Sequence, residues 1–159
     1  STVLFDCDLQ PMVAPHFATS PFSRNPTTMP LANLYARVGI ETGVSGASPH
    51  RLVAMLFDGF AEAIAQAKGA LAGGQIEAKG RAIGRAARIV DEGLKASLDL
   101  RGGGPLAADL ADLYAYVTLR LTQANLRNDA GALDECLALM QPLREAWASI
   151  APQVDAVRA

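Results

Sequence analysis

Apolar residues recur every three or four positions along four long stretches of this chain, which is the spacing of one helix face. The first stretch begins at Ser48-Pro49, because serine is a favoured N-cap and proline fits the first helical turn. Gly73-Gly74 follows its last apolar residue, so we expect a helix over 49–72. The face that it presents to partner helices consists of Val53, Leu56, Phe57, Phe60, Ile64, Ala67 and Leu71.

The other three stretches continue the pattern to the end of the chain. The second covers about 75–100, the third begins at Pro105 after a run of glycines, and Asn128-Asp129 separates the third from the fourth. Pro142 lies inside the fourth stretch and predicts a kink or the loss of one hydrogen bond near 138–142. The apolar faces are Ile83, Ala87, Val90, Leu94 and Leu98 in the second, Leu106, Leu110, Leu113, Val117, Leu121 and Ala124 in the third, and Leu133, Leu137, Met140, Leu143, Trp147 and Ile150 in the fourth.

Four long helices with short connections predict an all-α fold, an antiparallel four-helix bundle. Leu31 to Arg37 is a shorter amphipathic segment, and it predicts an additional short N-terminal helix. No stretch alternates apolar and polar residues for long enough to predict a strand. We therefore expect a helical bundle domain over 31–155.

Residues 1–30 have a different character, because prolines interrupt every helical pattern there and Ser, Thr and Asn fill the gaps. We interpret them as a Pro-rich N-terminal tail. Its apolar residues predict that it packs on another surface, and Met29 is an alternative start of the functional chain.

The chain has 159 residues, half of them apolar, and a formal net charge of -2. Without a basic excess, nucleic acid is not an expected partner. The longest apolar runs are far shorter than the roughly 20 residues that span a membrane, so we expect no membrane insertion. Two cysteines, Cys7 and Cys136, are typical of a protein of the reducing cytoplasm.

Candidate catalytic and metal-binding residues are scarce. Di-iron bundles need a Glu-x-x-His pair on each of two helices, and no such pair occurs here. His16 and His50 are the only histidines, and we expect His50 to be a solvated residue of the first helical turn. Ser48 is explained by its capping position. We therefore expect no cofactor, no metal site and no enzymatic activity.

Arg81, Arg85 and Arg88 share one face of the second helix. Two interpretations remain for this face. It either docks an acidic partner, or it is a solubilising stripe balanced by Glu77 and Glu92.

A second set of apolar residues lies outside the inward faces, and a bundle with one core leaves such residues uncovered unless another element packs on them. The set therefore either forms a groove that binds a peptide as a helix, or is filled permanently by the tail and the short N-terminal helix. Its members are Leu52, Met55, Ala63, Ile89, Tyr114, Tyr116, Leu119 and Leu126.

A series of short motifs over about 31–150 resembles the FliS family of flagellar export chaperones. Each motif is weak by itself, and the resemblance rests on their order and spacing. They are Tyr35 with Val38 and Glu41-Thr42-Gly43, Ala47-Ser48-Pro49 with Leu52, Met55 to Gly59, Ser97-Leu98-Asp99 with Gly102-Gly103, Leu113 to Tyr116, Arg120 to Asn125, and Leu143 to Trp147.

The resemblance implies a cytosolic chaperone that binds the C-terminal segment of flagellin as helical pieces, prevents its premature polymerisation and delivers it to the flagellar type III export gate. It also implies that Tyr35 acts as a gate, because its segment gives way to the client. Asn125 and Asn128 would then anchor the client through polar contacts. Apolar contacts with the client would come from Tyr114, Tyr116 and Leu119. The structural alternatives are that the asparagines only end the third helix and that either tyrosine belongs to the core. The alternative function is structural: a helical module that associates with itself and has no flagellin client.

The tail has no counterpart in this resemblance. Its apolar side chains suggest that it mimics flagellin, and it would then occupy the client groove of its own molecule or of a neighbour in a homo-oligomer. The residues concerned are Leu4, Phe5, Leu9 and Phe17.

Overall fold

The structure, a computed structural model, describes residues 31–40, 44 and 46–150, and within these ranges it contains helices and no strand. The all-α prediction is confirmed. The tail over 1–30, with the proposed flagellin mimic, lies outside the described residues. The helices are α1 (Leu31–Arg37), α2 (Pro49–Ala72), α3 (Ile76–Arg88), a π-helical segment (Ile89–Lys95), α4 (Gly104–Arg127) and α5 (Ala130–Ser149).

The four long helices form a closed ring in which α2 and α4 each contact both α3 and α5. Neighbouring helices run antiparallel, as ion pairs and hydrogen bonds between opposite ends show. Lys68 near the end of α2 pairs with Asp134 near the start of α5. Lys79 near the start of α3 donates to the backbone oxygen of Asn125 near the end of α4. Among the described residues, no helix is long and apolar enough to cross a membrane.

The helix starts follow the capping chemistry of the sequence. Ser48 Oγ accepts from the backbone N–H of Arg51 at 3.1 Å, and Pro49 is the first residue of α2. Asp129 Oδ1 accepts from the backbone N–H of Ala132 at 3.2 Å and caps α5. Each cap satisfies an amide that the helix itself leaves unpaired, so both boundaries agree with the prediction.

The inward faces predicted for the bundle meet in one core, except at its ends. Phe60, Ile64, Leu121 and Leu133 are at most 1% exposed. Leu106 was expected on the inward face of α4 but is 67% exposed, because it lies in the first turn of α4, at the end of the bundle. Ile150, expected on the inward face of α5, is exposed for the same reason: it follows the last residue of that helix.

The second predicted helix changes its winding after Arg88. α3 ends there, and the chain continues as the π-helical segment, which ends at Lys95 rather than near Leu100. Gly93 in this segment allows close packing on α2, because a Cβ there would lie 2.9 Å from Leu56 Cδ1. Ile89, expected outside the inward face, is fully buried.

Pro142 does not interrupt α5, which continues to Ser149. Proline has no amide hydrogen, so it cannot donate to the backbone oxygen four residues earlier, at Ala138. Ala138 is exposed, and water can therefore satisfy that oxygen.

The turn before α4 is built around Asp99. Its Oδ1 accepts from the backbone N–H of Arg101 at 3.1 Å and of Gly102 at 2.9 Å. A Cβ on Gly103 would lie 2.5 Å from the Asp99 backbone oxygen and 2.6 Å from the Ala107 Cβ. The turn therefore requires a residue without a side chain at this position.

We expect Gly103→Ala to lower the free energy of unfolding by about 1–3 kcal/mol, because the methyl group meets backbone that cannot move without opening the turn. Urea unfolding followed by circular dichroism measures the change. The matched control is Gly69→Ala in α2, where nothing lies within 4 Å of the new methyl group. That control should gain about 0.5–1 kcal/mol from helix propensity. Equal effects at the two sites would contradict the steric explanation.

Cys136 lies fully buried between α4 and α5, with its Sγ 3.8 Å from the backbone oxygen of Val117. Burial raises the pKa of its thiol to about 11. The unfolded chain loses this proton near pH 8.5, so between that value and pH 11 the unfolded state binds fewer protons than the folded state. Stability conferred by the protonated thiol is complete below pH 8.5 and is lost as pH rises.

We therefore expect the free energy of unfolding of a Cys7→Ser variant to fall between pH 8.5 and 10.5, by on the order of 2 kcal/mol from this thiol. Urea unfolding over this pH range tests the expectation. The control is the same variant with Cys136→Ala, which should lose less stability over the same range. Equal slopes in the two proteins would show that another group causes the decline.

Candidate binding surface

Helix α1 lies over the groove between α2 and α3 and covers part of the second apolar set. The Tyr35 side chain is 2% exposed, and its hydroxyl donates to the backbone oxygen of Leu52 at 2.8 Å. Burial raises the pKa of this hydroxyl well above its usual value. The Ile40 side chain continues the cover, because a Cβ on Gly59 would lie 2.7 Å from Ile40 Cδ1. In this state the groove is filled by the short N-terminal helix and the residues that follow it.

Polar contacts hold α1 at its C-terminal end. Arg85 Nε donates to the backbone oxygen of Val38, and its guanidinium pairs with Glu62 at 2.9 Å. Arg37 pairs with Glu92 of the π-helical segment. Two arginines from different elements thus hold the end of α1 on the bundle.

These contacts correct the interpretation of the arginine face on α3. Arg85 has a side chain only 14% exposed and is turned toward α1 and α2, while Arg81 is exposed. Glu92, expected to balance the arginines of α3, pairs with Arg37 instead. The three arginines therefore do not form one exposed stripe.

The two tyrosines of α4 lie in different environments. Tyr114 is 4% exposed and belongs to the core, where burial raises the pKa of its hydroxyl to about 12. Tyr116 is 41% exposed, and its hydroxyl donates to Glu135 Oε2 of α5 at 2.5 Å. Glu135 also accepts from Arg120 Nε at 2.8 Å, and these two hydrogen bonds, Tyr116 first, lower the pKa of its carboxyl.

The outer face of α4 carries exposed leucines. Leu119 is 53% exposed and Leu126 is 77% exposed, seven residues apart and therefore on one side of the helix. Ile76, at the start of the neighbouring α3, is 54% exposed. Among the described residues, nothing covers these three apolar side chains, and Ile76 and Leu126 lie at the end of the bundle where α3 begins and α4 ends.

Asn125 and Asn128 lie at that end of α4, next to a residue that was not singled out in the sequence. Lys79 is 3% exposed, and its Nζ donates to the Asn125 backbone oxygen at 2.9 Å and to Asn128 Oδ1. A signal for it existed, because Lys79 lies four residues before Ile83 and so occupies the inward stripe of α3. A lysine on an inward stripe requires acceptors inside the fold.

His50 is not the solvated residue that its position in the first turn of α2 predicted. It is 7% exposed and stacks on Trp147 of α5, with ring centroids 4.7 Å apart and planes 6° apart. His50 Nε2 donates to the backbone oxygen of Trp147 at 2.9 Å, and Trp147 Nε1 donates to the backbone oxygen of His50 at 3.0 Å. We call this pair the end clasp, because it ties the start of α2 to the end of α5.

The six predicted binding residues do not form one patch. Tyr35 lies on the side of α2, Tyr114 is in the core, and Tyr116 borders α5. Leu119 faces outward, and the two asparagines are beside α3. Over the described part of the chain, no three His, Cys, Asp or Glu side chains are grouped so as to hold a metal ion. The six residues therefore lie on separate parts of the bundle, and two of them, Tyr35 and Tyr114, are buried.

The chain is similar to one family of flagellar proteins over most of its length. The family described as "Flagellar protein FliS" matches residues 31–154. The "Flagellar secretion chaperone FliS" of Salmonella typhimurium is 48% identical over 121 residues, which cover 76% of this chain and 90% of that protein. "Flagellar secretion chaperone FliSB" of Pseudomonas aeruginosa is 45% identical over 73% of this chain and 91% of its own length. The "Flagellar secretion chaperone FliS" of Escherichia coli is 41% identical over 71% of this chain and 83% of its own length.

Proposed function

This chain belongs to the FliS family of flagellar proteins, a family of chaperones and not of enzymes, and on that premise we propose that it binds the C-terminal segment of flagellin in the cytoplasm. Binding covers the segment, prevents premature polymerisation and keeps the client competent for export through the flagellar type III apparatus. The proposal concerns binding alone and requires no cofactor.

The observation that carries the proposal is the position of α1. A seven-residue amphipathic helix of the chain itself, together with Val38 directly after it, fills the groove between α2 and α3 with the buried side chains of Leu34, Tyr35 and Val38. A groove that accepts one amphipathic helix has the shape and apolar lining to accept another. A disordered client that folds on binding must offset its ordering entropy with buried apolar area, and α1 covers the kind of surface that supplies it.

Each candidate residue has a part in this proposal that fits its place in the structure. Tyr35 is the gate, because its release uncovers the groove. Tyr116 and Leu119 contact the client on the outside of α4. Asn125 and Asn128 hold the client backbone by hydrogen bonds at the end of that helix. For Tyr114 the resemblance implied an apolar contact with the client, but its side chain belongs to the core, so we propose only that it supports the surface of α4.

The flagellar export gate and the tail enter the proposal as further partners. We propose that the chaperone presents its client to the gate, and that the tail competes with the client through Leu4, Phe5, Leu9 and Phe17. If the tail reaches a neighbouring molecule, the empty chaperone is a homo-oligomer. The exposed leucines of α4 favour self-association as the alternative function.

Calorimetric titration of the chain with the C-terminal segment of flagellin from the same organism tests the proposal. We expect one-to-one binding with a large negative heat-capacity change, because apolar area is buried. A flagellin segment with its apolar residues replaced by serine is the control. If no heat is observed and sedimentation shows concentration-dependent oligomers, the self-associating module is the better account.

The same titration without residues 1–28 tests the tail. Stronger binding by the shortened chain identifies the tail as a competitor, and equal binding removes it from the mechanism. Sedimentation of both forms without client separates competition within one molecule from competition between molecules.

A further inference from the structure

The end of α4 contains a buried positive charge without a carboxylate partner among the described residues. Lys79 is 3% exposed, and its ammonium donates to the Asn125 backbone oxygen and to Asn128 Oδ1. Burying an ammonium is costly unless acceptors replace water. Here the acceptors are two neutral oxygens at the negative end of the α4 dipole, which favours a cation.

Asn128 follows the last residue of α4 and has left-handed backbone geometry, with a φ of 52°. Asparagine tolerates this geometry better than most residues. Its backbone N–H donates to the oxygen of Ala124, as is usual for a helix end. The backbone therefore fixes the position of the side chain, and Lys79 fixes its orientation.

The orientation follows from the chemistry of the two groups. An ammonium has only donors, so the oxygen of the carboxamide must face Lys79. The Nδ2 group of Asn128 then points away from Lys79. No described residue accepts a hydrogen bond from it, and the residue is exposed. Asn128 thus presents donors at the surface, at the end of the bundle where Ile76, three residues before Lys79, and Leu126, two residues before Asn128, are also exposed.

We propose that Lys79 is a positioning residue for client binding: it orients the Asn128 carboxamide so that its N–H groups donate to backbone carbonyl oxygens of the client. The inference rests on the proposed function. It adds that Asn128 donates the hydrogen bonds to the client and the client carbonyl oxygens accept them. Ile76 in the first turn of α3 and Leu126 in the last turn of α4 are exposed at the same end of the bundle, so an amphipathic segment with unpaired carbonyls, such as the end of a helix, is the chemistry that we expect here.

Asn128→Asp tests the proposal, because it separates the structural role from the donor role. Aspartate has nearly the same size, tolerates the same backbone geometry and gives Lys79 a charged partner. We expect the urea midpoint to be unchanged or higher. The affinity for the flagellin segment should fall at least about tenfold, since N–H donors are replaced by a carboxylate oxygen that repels carbonyls. Unchanged affinity would overturn the proposal.

Lys79→Met supplies the second arm. Methionine keeps much of the apolar stem and removes the donor, so the carboxamide loses its fixed orientation. We expect weaker client binding and a smaller further loss when Asn128→Asp is added, because the two residues act through one interaction. Lys68→Met is the matched control: it removes the same charge from a half-exposed lysine paired with Asp134 and should leave affinity unchanged. Additive losses from the two substitutions would contradict the positioning role.

A spectroscopic measurement addresses the donor directly. In ¹⁵N nuclear magnetic resonance spectra, the side-chain NH₂ signals of Asn128 should shift when the flagellin segment is added. If the wild-type chain does not bind the segment at all, both the proposed function and this inference fail. If it binds while the Asn128 signals and the Asn128→Asp affinity stay unchanged, only this inference fails.

Discussion

Replacing Tyr35 with alanine is expected to lower the free energy needed to detach α1 from the bundle by about 3–5 kcal/mol. The same substitution is expected to strengthen client binding. The first effect follows from the loss of an aromatic side chain that is 2% exposed and hydrogen-bonded to the Leu52 backbone. The second follows because a groove occupied by α1 is competent for the client only in the fraction of molecules where α1 is displaced. The apparent affinity for the client is reduced in proportion to that fraction. A substitution that increases the fraction of molecules with α1 displaced therefore increases the apparent affinity.

Amide hydrogen exchange measures the release of α1, and calorimetry with the flagellin segment measures the affinity. Faster exchange should be confined to 33–40, since the remaining core does not depend on Tyr35 alone. We expect a gain in affinity of about tenfold or more, which corresponds to 1.4 kcal/mol or more of released competition. Tyr35→Phe is the matched control: it removes one hydrogen bond of about 0.5–1.5 kcal/mol and keeps the ring. A loss of affinity in Tyr35→Ala would mean that α1 is part of the client site and not a gate.

Trp147→Ala is expected to lower the free energy of unfolding by about 2–4 kcal/mol, somewhat below the value for a fully buried tryptophan because Trp147 is half-buried. His50→Ala should cost less, about 1–3 kcal/mol, since it removes a smaller ring and one hydrogen bond. Urea unfolding followed by circular dichroism at 222 nm measures both changes. An effect below 0.5 kcal/mol in both variants would show that the end clasp does not stabilise the bundle.

The double variant isolates the stacking of the two rings. Each ring donates to the backbone oxygen of the other residue, and a backbone oxygen survives substitution of its own side chain. The hydrogen bonds are therefore lost one at a time, while the stack is lost in either single variant. The combined cost should fall short of the sum by about 0.5–1.5 kcal/mol, the contribution of a stacked pair. Strict additivity would indicate that the rings touch without stabilising each other.

The elements of this fold were predictable where the information is local. Two helix starts are specified by the residues at the boundary itself: the Ser48 and Asp129 side chains accept from backbone amides, and the Pro49 ring fits the first helical turn. The structure has N-caps at both positions. The inward faces of α2, α4 and α5 follow from a period of three to four residues. The predicted inward position was wrong for Leu106, because the apolar pattern of α4 continues into the first turn of the helix, which lies beyond the end of the core.

The remaining features depend on contacts between distant parts of the chain. His50 is buried because Trp147, 97 residues later, packs on it, and nothing near His50 in the sequence indicates this. The π-helical segment was missed because Val90 and Leu94 fall on the inner side in either kind of helix. Only the packing on α2 shows that Ile89 is covered, because a Cβ on Gly59 would lie 3.3 Å from Ile89 Cδ1.

The candidate binding surface was predictable in part, and through resemblance more than through pattern. The tyrosines and asparagines came from the motifs of the family, and their roles stay predictions. Lys79 was absent from that set because solvated lysines are common on helices, and only its place on the inward stripe of α3 distinguishes it. Its acceptors lie 46 and 49 residues away, beyond any local pattern.

The end clasp also makes the chain a spectroscopic reporter of one end of the bundle. Trp147 is the only tryptophan in the sequence, so the indole emission arises where α2 begins and α5 ends. Fluorescence follows the opening of that end, whereas circular dichroism follows all the helices together. If the two unfolding curves coincide, the bundle melts as one unit. If the emission changes first, this end frays before the rest.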